Sequence, residues 1–164
     1  MMGLFDAKEY YHRLEDVDPE KYRKRGFNVL FIDIDNTLSP YYAERPDERA
    51  RSLLSRFEAA GFTIFIISNN TSSRVKTYCD GLPVTPYAMS LKPFGFNYEK
   101  ILKKYGYRRE EILCIGDQLI TDIFGGNLRR LYTIYVDPII EKDNLPGKIT
   151  RFAERILFDH FIKR

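Results

Sequence analysis

The sequence predicts a doubly wound α/β sandwich: a Rossmann-like, three-layer fold around a parallel sheet of about five strands. Two observations lead there. Between residues 28 and 136, short apolar runs alternate with segments of helical period, as expected of strands joined by covering helices. Polar residues also recur where those runs end, and parallel strands deliver their carboxyl ends to one edge of a sheet, where open α/β folds bind ligands.

The predicted strands are 28 to 33, 62 to 67, 84 to 89, 111 to 115 and 131 to 136. Pro46 and Asp47 open a helix whose apolar residues Ala50, Leu53, Leu54 and Phe57 share one face, and Gly61 ends it. Thr71, Ser72 and Ser73 offer caps for a helix running to about Asp80, stopped by Gly81 and Pro83. A third helix is expected over roughly 95 to 104 before Gly106, and a fourth from near Thr121 to before Arg130. With right-handed crossovers this order makes a doubly wound sandwich. Residues 1–25, rich in Tyr and charge, are expected to form short helices packed outside the core at 28–136, and residues 147–163 to form an amphipathic helix.

Composition limits the function classes. A chain of 164 residues with 44% apolar and 30% charged residues is expected to be a single soluble domain. Its net charge of +3 is mild, and clusters such as Lys21–Arg25 and Arg129-Arg130 are short, so a nucleic acid is not an expected partner. Cys79 and Cys114 fall in different predicted elements and read as reduced core thiols of a cytoplasmic protein. Neither a secretory leader nor a membrane span is apparent.

The strand ends carry the chemistry. The run Val29-Leu30-Phe31-Ile32 stops at Asp33-Ile34-Asp35-Asn36-Thr37, placing two carboxylates where an apolar strand leaves the sheet. The second strand delivers Ser68, Asn69 and Asn70; the segment after the third delivers Ser90 and Lys92; the fourth delivers Gly116, Asp117, Gln118 and Asp122. Each has a plain alternative: Ser68 to Ser72 as a helix cap, Lys92 as a solvated lysine before Pro93, Asp117 as the cap of the next helix. An EF-hand reading of the Asp33 segment fails, because Leu38 occupies the position that needs Gly and an apolar strand precedes it. Nucleotide-cradling GxxxxGK[ST] and GxGxxG motifs are absent.

The four strand ends, in order, resemble the motifs of the haloacid dehalogenase (HAD) superfamily of phosphohydrolases: DxDx[TV] at Asp33–Thr37, a hydroxyl at Ser68, Lys92, and the acidic group from Gly116-Asp117 to Asp122. More narrowly, the words DIDNTL, SNN, LKP, GDQxxTD and GGN (Gly125-Gly126-Asn127) resemble the YqeG-type phosphatases of subclass IIIA, themselves similar to phosphatidylglycerophosphate phosphatases. The resemblance implies a capless HAD core and hydrolysis of a phosphomonoester through an aspartyl-phosphate. Asp33 is then the nucleophile and Asp35 the general acid and base. Mg²⁺ is the implied cofactor, held by Asp33, the backbone carbonyl of Asp35 and Asp117, with Asp122 ligating through water or positioning Lys92. Ser68, the amide of Asn69 and Lys92 would receive the phosphoryl oxygens, and Thr37 would brace the turn. A regulatory or binding protein on the same scaffold, with weak or no turnover, is the alternative.

Only Leu38 to Arg45 separates Thr37 from the next helix, and the interval from Asn70 to Lys92 is filled by a helix and a strand. Neither has room for a cap domain, so an open mouth and a large phosphorylated substrate are expected, a phospholipid headgroup among the candidates. Tyr41 and Tyr42 would line that mouth or pack beside it. The predicted C-terminal helix has an apolar stripe (Ile149, Phe152, Ile156, Leu157, Phe161) beside Lys148, Arg151, Arg155, Lys163 and Arg164, a pattern suited either to peripheral contact with an anionic membrane or to packing on the domain.

Overall fold

The computed structural model describes residues 3–140. The expected C-terminal helix at 147–163 lies outside the described residues. The elements are β1 (Glu9–Tyr11), α1 (Pro19–Lys24), β2 (Val29–Ile32), α2 (Glu48–Ala59), β3 (Thr63–Ile67), α3 (Ser72–Cys79), β4 (Thr85–Tyr87), α4 (Asn97–Tyr105), β5 (Ile112–Gly116), α5 (Gly125–Leu128) and β6 (Tyr132–Val136). All strand pairs are parallel, in the order β1-β6-β5-β2-β3-β4. The chain winds from β2 outward through β3 and β4, then returns to the other side of β2 at β5. The β2/β5 boundary is therefore the switch point, where a crevice opens at the carboxyl edge.

The sheet is buried on both faces. Leu30 and Ile32 of β2 pack on one side with Leu53, Leu54, Phe57, Val75 and Tyr78. Val29 and Phe31, alternating with them, pack on the other with Tyr98, Ile101 and Leu102. This is why β2 is apolar throughout instead of alternating with polar residues. The helix signals act as their residue types suggest: the Asp47 carboxylate accepts from the Ala50 amide at 2.8 Å, and Thr71 Oγ1 from the Arg74 amide at 3.4 Å. Gly106 ends α4 at φ 73°, a left-handed conformation that glycine adopts without a Cβ penalty. Cys79 and Cys114 are free and buried, and burial pushes both thiols up to about 12.

Two expectations need correction. The sheet has six strands, because residues 9–11 of the N-terminal segment form an edge strand against β6 instead of further helix. The strand is fixed by Glu9, whose carboxylate accepts from Lys21 Nζ (2.6 Å), Tyr22 Oη (2.9 Å), Arg25 Nη1 (2.7 Å) and Tyr132 Oη (2.7 Å). Partial burial pushes the Glu9 carboxyl up, but these donors outweigh it and hold it far below the usual carboxylate range. Second, the element after Asp117 begins at Leu119, not Thr121. Its first six residues, Leu119–Phe124, form a π-helical turn before α5.

Candidate active site

Strand register brings the chemistry-bearing residues level. Ile32 pairs with Ile66 on one side and Ile115 on the other, so Asp33, Ser68 and Asp117 all emerge at the same edge. Beyond β2 the chain turns back on itself: the amides of Thr37, Leu38 and Ser39 donate to Ile34 O, and Asn36 sits at φ 60°, where Asn is better tolerated than most residues. This turn buries Thr37 and points its hydroxyl at Asp117 Oδ1, 2.9 Å away. Thr37 joins the turn through its amide, while its hydroxyl orients a carboxylate from a neighbouring strand.

Lys92 is not a solvated lysine. Its side chain is 2% exposed, with Nζ 2.6 Å from Asp122 Oδ1 and 3.1 Å from Asp33 Oδ1. Burial alone would lower its pKa, but the facing Asp122 and Asp33 carboxylates reverse that and raise it, so the ammonium stays charged. For Asp33, burial is the largest influence and pushes its carboxyl up; Lys92 opposes this, and the negative charges of Asp122 and Asp35 add to it. Asp122 is fully engaged, with Oδ1 on Lys92 and Oδ2 accepting from the Gln118 amide at 3.2 Å. Gly116 makes room for it: a Cβ there would lie 2.3 Å from Asp122 Cγ.

The capping alternative for Ser68 to Ser72 holds at Thr71 and not at Ser68, and Gln118, not Asp117, stands at the cap position of the next element. Thr71 caps α3, and the Asp117 carboxylate accepts from Thr37. Ser68 is fully buried, and its hydroxyl oxygen accepts from the Asn70 amide at 3.1 Å, leaving its own hydrogen to donate. Asn69 holds the Lys92 backbone from both sides: the Lys92 amide donates to Asn69 Oδ1 at 2.7 Å, and Asn69 Nδ2 donates to Lys92 O at 3.2 Å.

Asp35, half-buried, faces a group that sequence reasoning missed. Arg74 Nη2 on α3 lies 2.6 Å from Asp35 Oδ1 and also donates to Tyr41 O, while Asn70 Nδ2 donates to Asp35 Oδ2. No local pattern marks Arg74 in the sequence, because its partners sit on a loop more than thirty positions earlier. Arg129 was also missed. It anchors the loop that carries Lys92, donating to Pro93 O (2.7 Å), Gly95 O (2.7 Å) and Gly125 O (2.8 Å).

Among the described residues, Asp33, Asp117 and Asp122 bring one carboxylate oxygen each to within 4.8 Å of one another, all buried. Asp33 Oδ1 is buried without an aligned hydrogen bond, despite the nearby ammonium. A dense group of hard oxygen donors with one orphaned atom suits a divalent cation. The arrangement can therefore gather positive charge around a phosphoryl group beside a buried carboxylate.

No family model matches the chain. Over 156 residues it is 32% identical to the "probable phosphatase YqeG" of Bacillus subtilis, covering 93% of this chain and 87% of that protein. The chain belongs to the YqeG family of HAD phosphatases. A phosphatidylglycerophosphate phosphatase of Arabidopsis thaliana is 27% identical over 77% of the chain, which spans only 39% of that protein. The fold agrees. A cobalt-bound deoxy-D-mannose-octulosonate 8-phosphate phosphatase from Haemophilus influenzae superposes with a TM-score of 0.55 at 13% identity, covering 87% of this chain and 91% of that one. A Legionella pneumophila protein described as a subfamily III A HAD hydrolase gives 0.51 at 15% identity, over 88% and 89%. In this YqeG-family chain the GGN segment is a packing device: a Cβ on Gly126 would meet Thr133 Cγ2 at 2.6 Å, and Asn127 Nδ2 donates to Leu4 O and Asp6 O, fastening the N-terminal segment.

Proposed function

We propose that this phosphatase is a Mg²⁺-dependent phosphomonoester hydrolase working through an aspartyl-phosphate, with Asp33 as the nucleophile. The observation that carries this is the buried Asp33 carboxylate, facing Lys92 and sharing its crevice with Asp117 and Asp122. Asp33, Asp117 and the backbone carbonyl of Asp35 would hold the divalent cation, which would supply positive charge to the carboxylates and to the phosphoryl oxygens. Asp33 attacks phosphorus, the bond to the ester oxygen breaks, and Asp35 gives its proton to the departing alcohol. Asp35 then takes a proton from water, which attacks the same phosphorus, releasing phosphate and restoring Asp33. Lys92, Ser68 and the Asn69 amide receive the phosphoryl oxygens, while Asp122 fixes Lys92 through its 2.6 Å contact.

Neither interval that would carry a cap leaves room for one, since α2 starts at Glu48 and residues 70–92 are filled largely by α3 and β4, and Tyr42, on the first of these intervals, is exposed. An open mouth favours a phosphoryl group on a large carrier, and the relatives named as phosphatidylglycerophosphate phosphatases point to a phospholipid headgroup. The test is hydrolysis of an aryl phosphate and of micellar phosphatidylglycerophosphate, each with Mg²⁺ or EDTA, by wild type and Asp33→Asn. The expected result is Mg²⁺-dependent turnover lost by about 10³-fold or more in the variant. A wild type inactive on every phosphoester would leave the scaffold a binding protein, and equal slow turnover of lipid and soluble esters would remove the lipid assignment.

A further inference from the structure

The loop joining β4 to α4 has two sides of opposite character. Ser90 is buried against Tyr87 O and Asn97 and Lys92 is buried in the active site, whereas Met89, Leu91, Phe94 and Phe96 are 62%, 71%, 70% and 83% exposed. No comparable concentration of exposed large apolar side chains occurs among the described residues. Folding does not account for it. Leu91 sits at φ 51° and Met89 at φ 45°, conformations that Gly or Asn adopts more readily, and neither side chain gains burial in return.

Nor is the loop slack. The amides of Phe94 and Gly95 donate to Leu91 O at 3.1 and 2.8 Å, Arg129 grips Pro93 O and Gly95 O, and Asn69 holds both backbone groups of Lys92. A Cβ on Gly95 would lie 1.6 Å from Ser90 O, so the turn is drawn as tight as its backbone permits. The apolar tips are held outward on a rigid support whose inner side supplies the active-site lysine.

We propose that this loop inserts its apolar tips into the interfacial layer of a lipid bilayer, seating the mouth of the site on the headgroups. The occupant follows from where the tips stand. Leu91 is joined directly to Lys92, which the phosphatase reading places on the substrate phosphoryl group, and a bilayer surface places phosphoesters directly above an apolar layer. The tips are four large apolar side chains within eight consecutive residues, each more than half exposed, as suits an element that enters an apolar layer. Tyr42 is also exposed, on the segment that Arg74 holds through Tyr41 O beside Asp35, and tyrosine suits the headgroup level.

The proposal deepens the phosphatase reading and rests on it, but its primary test does not depend on turnover. Full-chain wild type and Leu91→Asn/Phe94→Ser/Phe96→Ser are cosedimented with phosphatidylcholine vesicles with and without phosphatidylglycerol. Wild type is expected to partition about 10-fold more strongly than the triple variant, whose kcat/KM on a soluble aryl phosphate stays within about 2-fold of wild type. Because Phe94 packs on Phe124, Leu91→Asn alone is the second variant; Asn accepts a positive φ, and a several-fold loss of partition with intact aryl phosphatase activity is expected. Equal partition of wild type and variants, or none by wild type, overturns the proposal. So does a wild-type dimer in analytical ultracentrifugation that the triple variant loses, which would make a second copy the occupant. A wild type that binds vesicles through this loop but hydrolyses no phosphoester would sink the phosphatase reading alone.

Discussion

Replacing Lys92 with Met removes the ammonium while keeping a flexible side chain of similar length. The ammonium lies between Asp122 at 2.6 Å and Asp33 at 3.1 Å, all three side chains 6% exposed or less. Removing one partner from a buried ion pair costs about 3–5 kcal/mol, because the remaining charge is left without compensation. Here two carboxylates are left facing each other, so the upper part of that range applies in EDTA. With a urea m-value of about 2 kcal/mol/M, the midpoint should fall by roughly 2–2.5 M. Saturating Mg²⁺ restores positive charge to the same cluster and should recover part of the loss. Hydrolysis should not recover in parallel, since the phosphoryl oxygens still lack the lysine, a deficit of about 10²–10³-fold by analogy with a removed oxyanion donor. Urea melts with and without Mg²⁺, steady-state aryl phosphate hydrolysis and a double-mutant cycle with Asp122→Asn read these effects apart. A midpoint in EDTA within about 0.5 M of wild type, together with a coupling energy near zero, would refute the argument that Lys92 holds the acidic cluster together.

Further outcomes follow from the same geometry. Gly116→Ala drives a Cβ to 2.3 Å from Asp122 Cγ, so it should cost about 1–3 kcal/mol by overpacking and lower activity by displacing the lysine's partner; unchanged melting and hydrolysis would show that Asp122 need not be fixed. Burial raises Asp33 from 3.8 to about 7, so the folded state binds this proton more tightly than the unfolded chain. Metal-free protein should therefore lose stability as pH rises from about 4 to about 7, while Mg²⁺, which competes with the proton, should stabilise increasingly over that range. Lys92 does not reverse the trend, because its raised pKa keeps its contribution in place throughout. Thermal melts across pH in EDTA and Mg²⁺ check both slopes. Arg74→Ala breaks a partly exposed ion pair worth about 1 kcal/mol or less, so the melting temperature should barely move. Hydrolysis should fall several-fold, because Asp35 loses the guanidinium that orients it; full activity would mean that Arg74 has no part in holding the acid.

Much of the site was legible because its chemistry sits where strands end. Asp33, Ser68 and Asp117 are each marked by an apolar run that stops, with Lys92 in the segment after the third predicted strand, and a parallel sheet must bring such ends to one edge. Helix boundaries were legible for a similar reason: Asp47, Thr71 and Gly106 solve problems local to the backbone. β1 gave no such signal. Three residues are too short for a period, and the strand is held by Glu9 gathering donors from α1 and β6. The early start at Leu119 escaped because the π-helical turn breaks the 3.6-residue pattern used to find it.

By itself, the sequence determined the winding of the sheet, the order of the strand ends and the acidic, basic and hydroxyl residues they deliver. These follow from hydrophobic periodicity and strand direction, which are written locally along the chain. Only the tertiary structure decided which charges meet: Arg74 on Asp35, Arg129 beneath the lysine loop, Asn69 on the Lys92 backbone, and the four apolar tips left outside. Those pairings join residues far apart in sequence, and their strength comes from distance and burial, which no local pattern encodes.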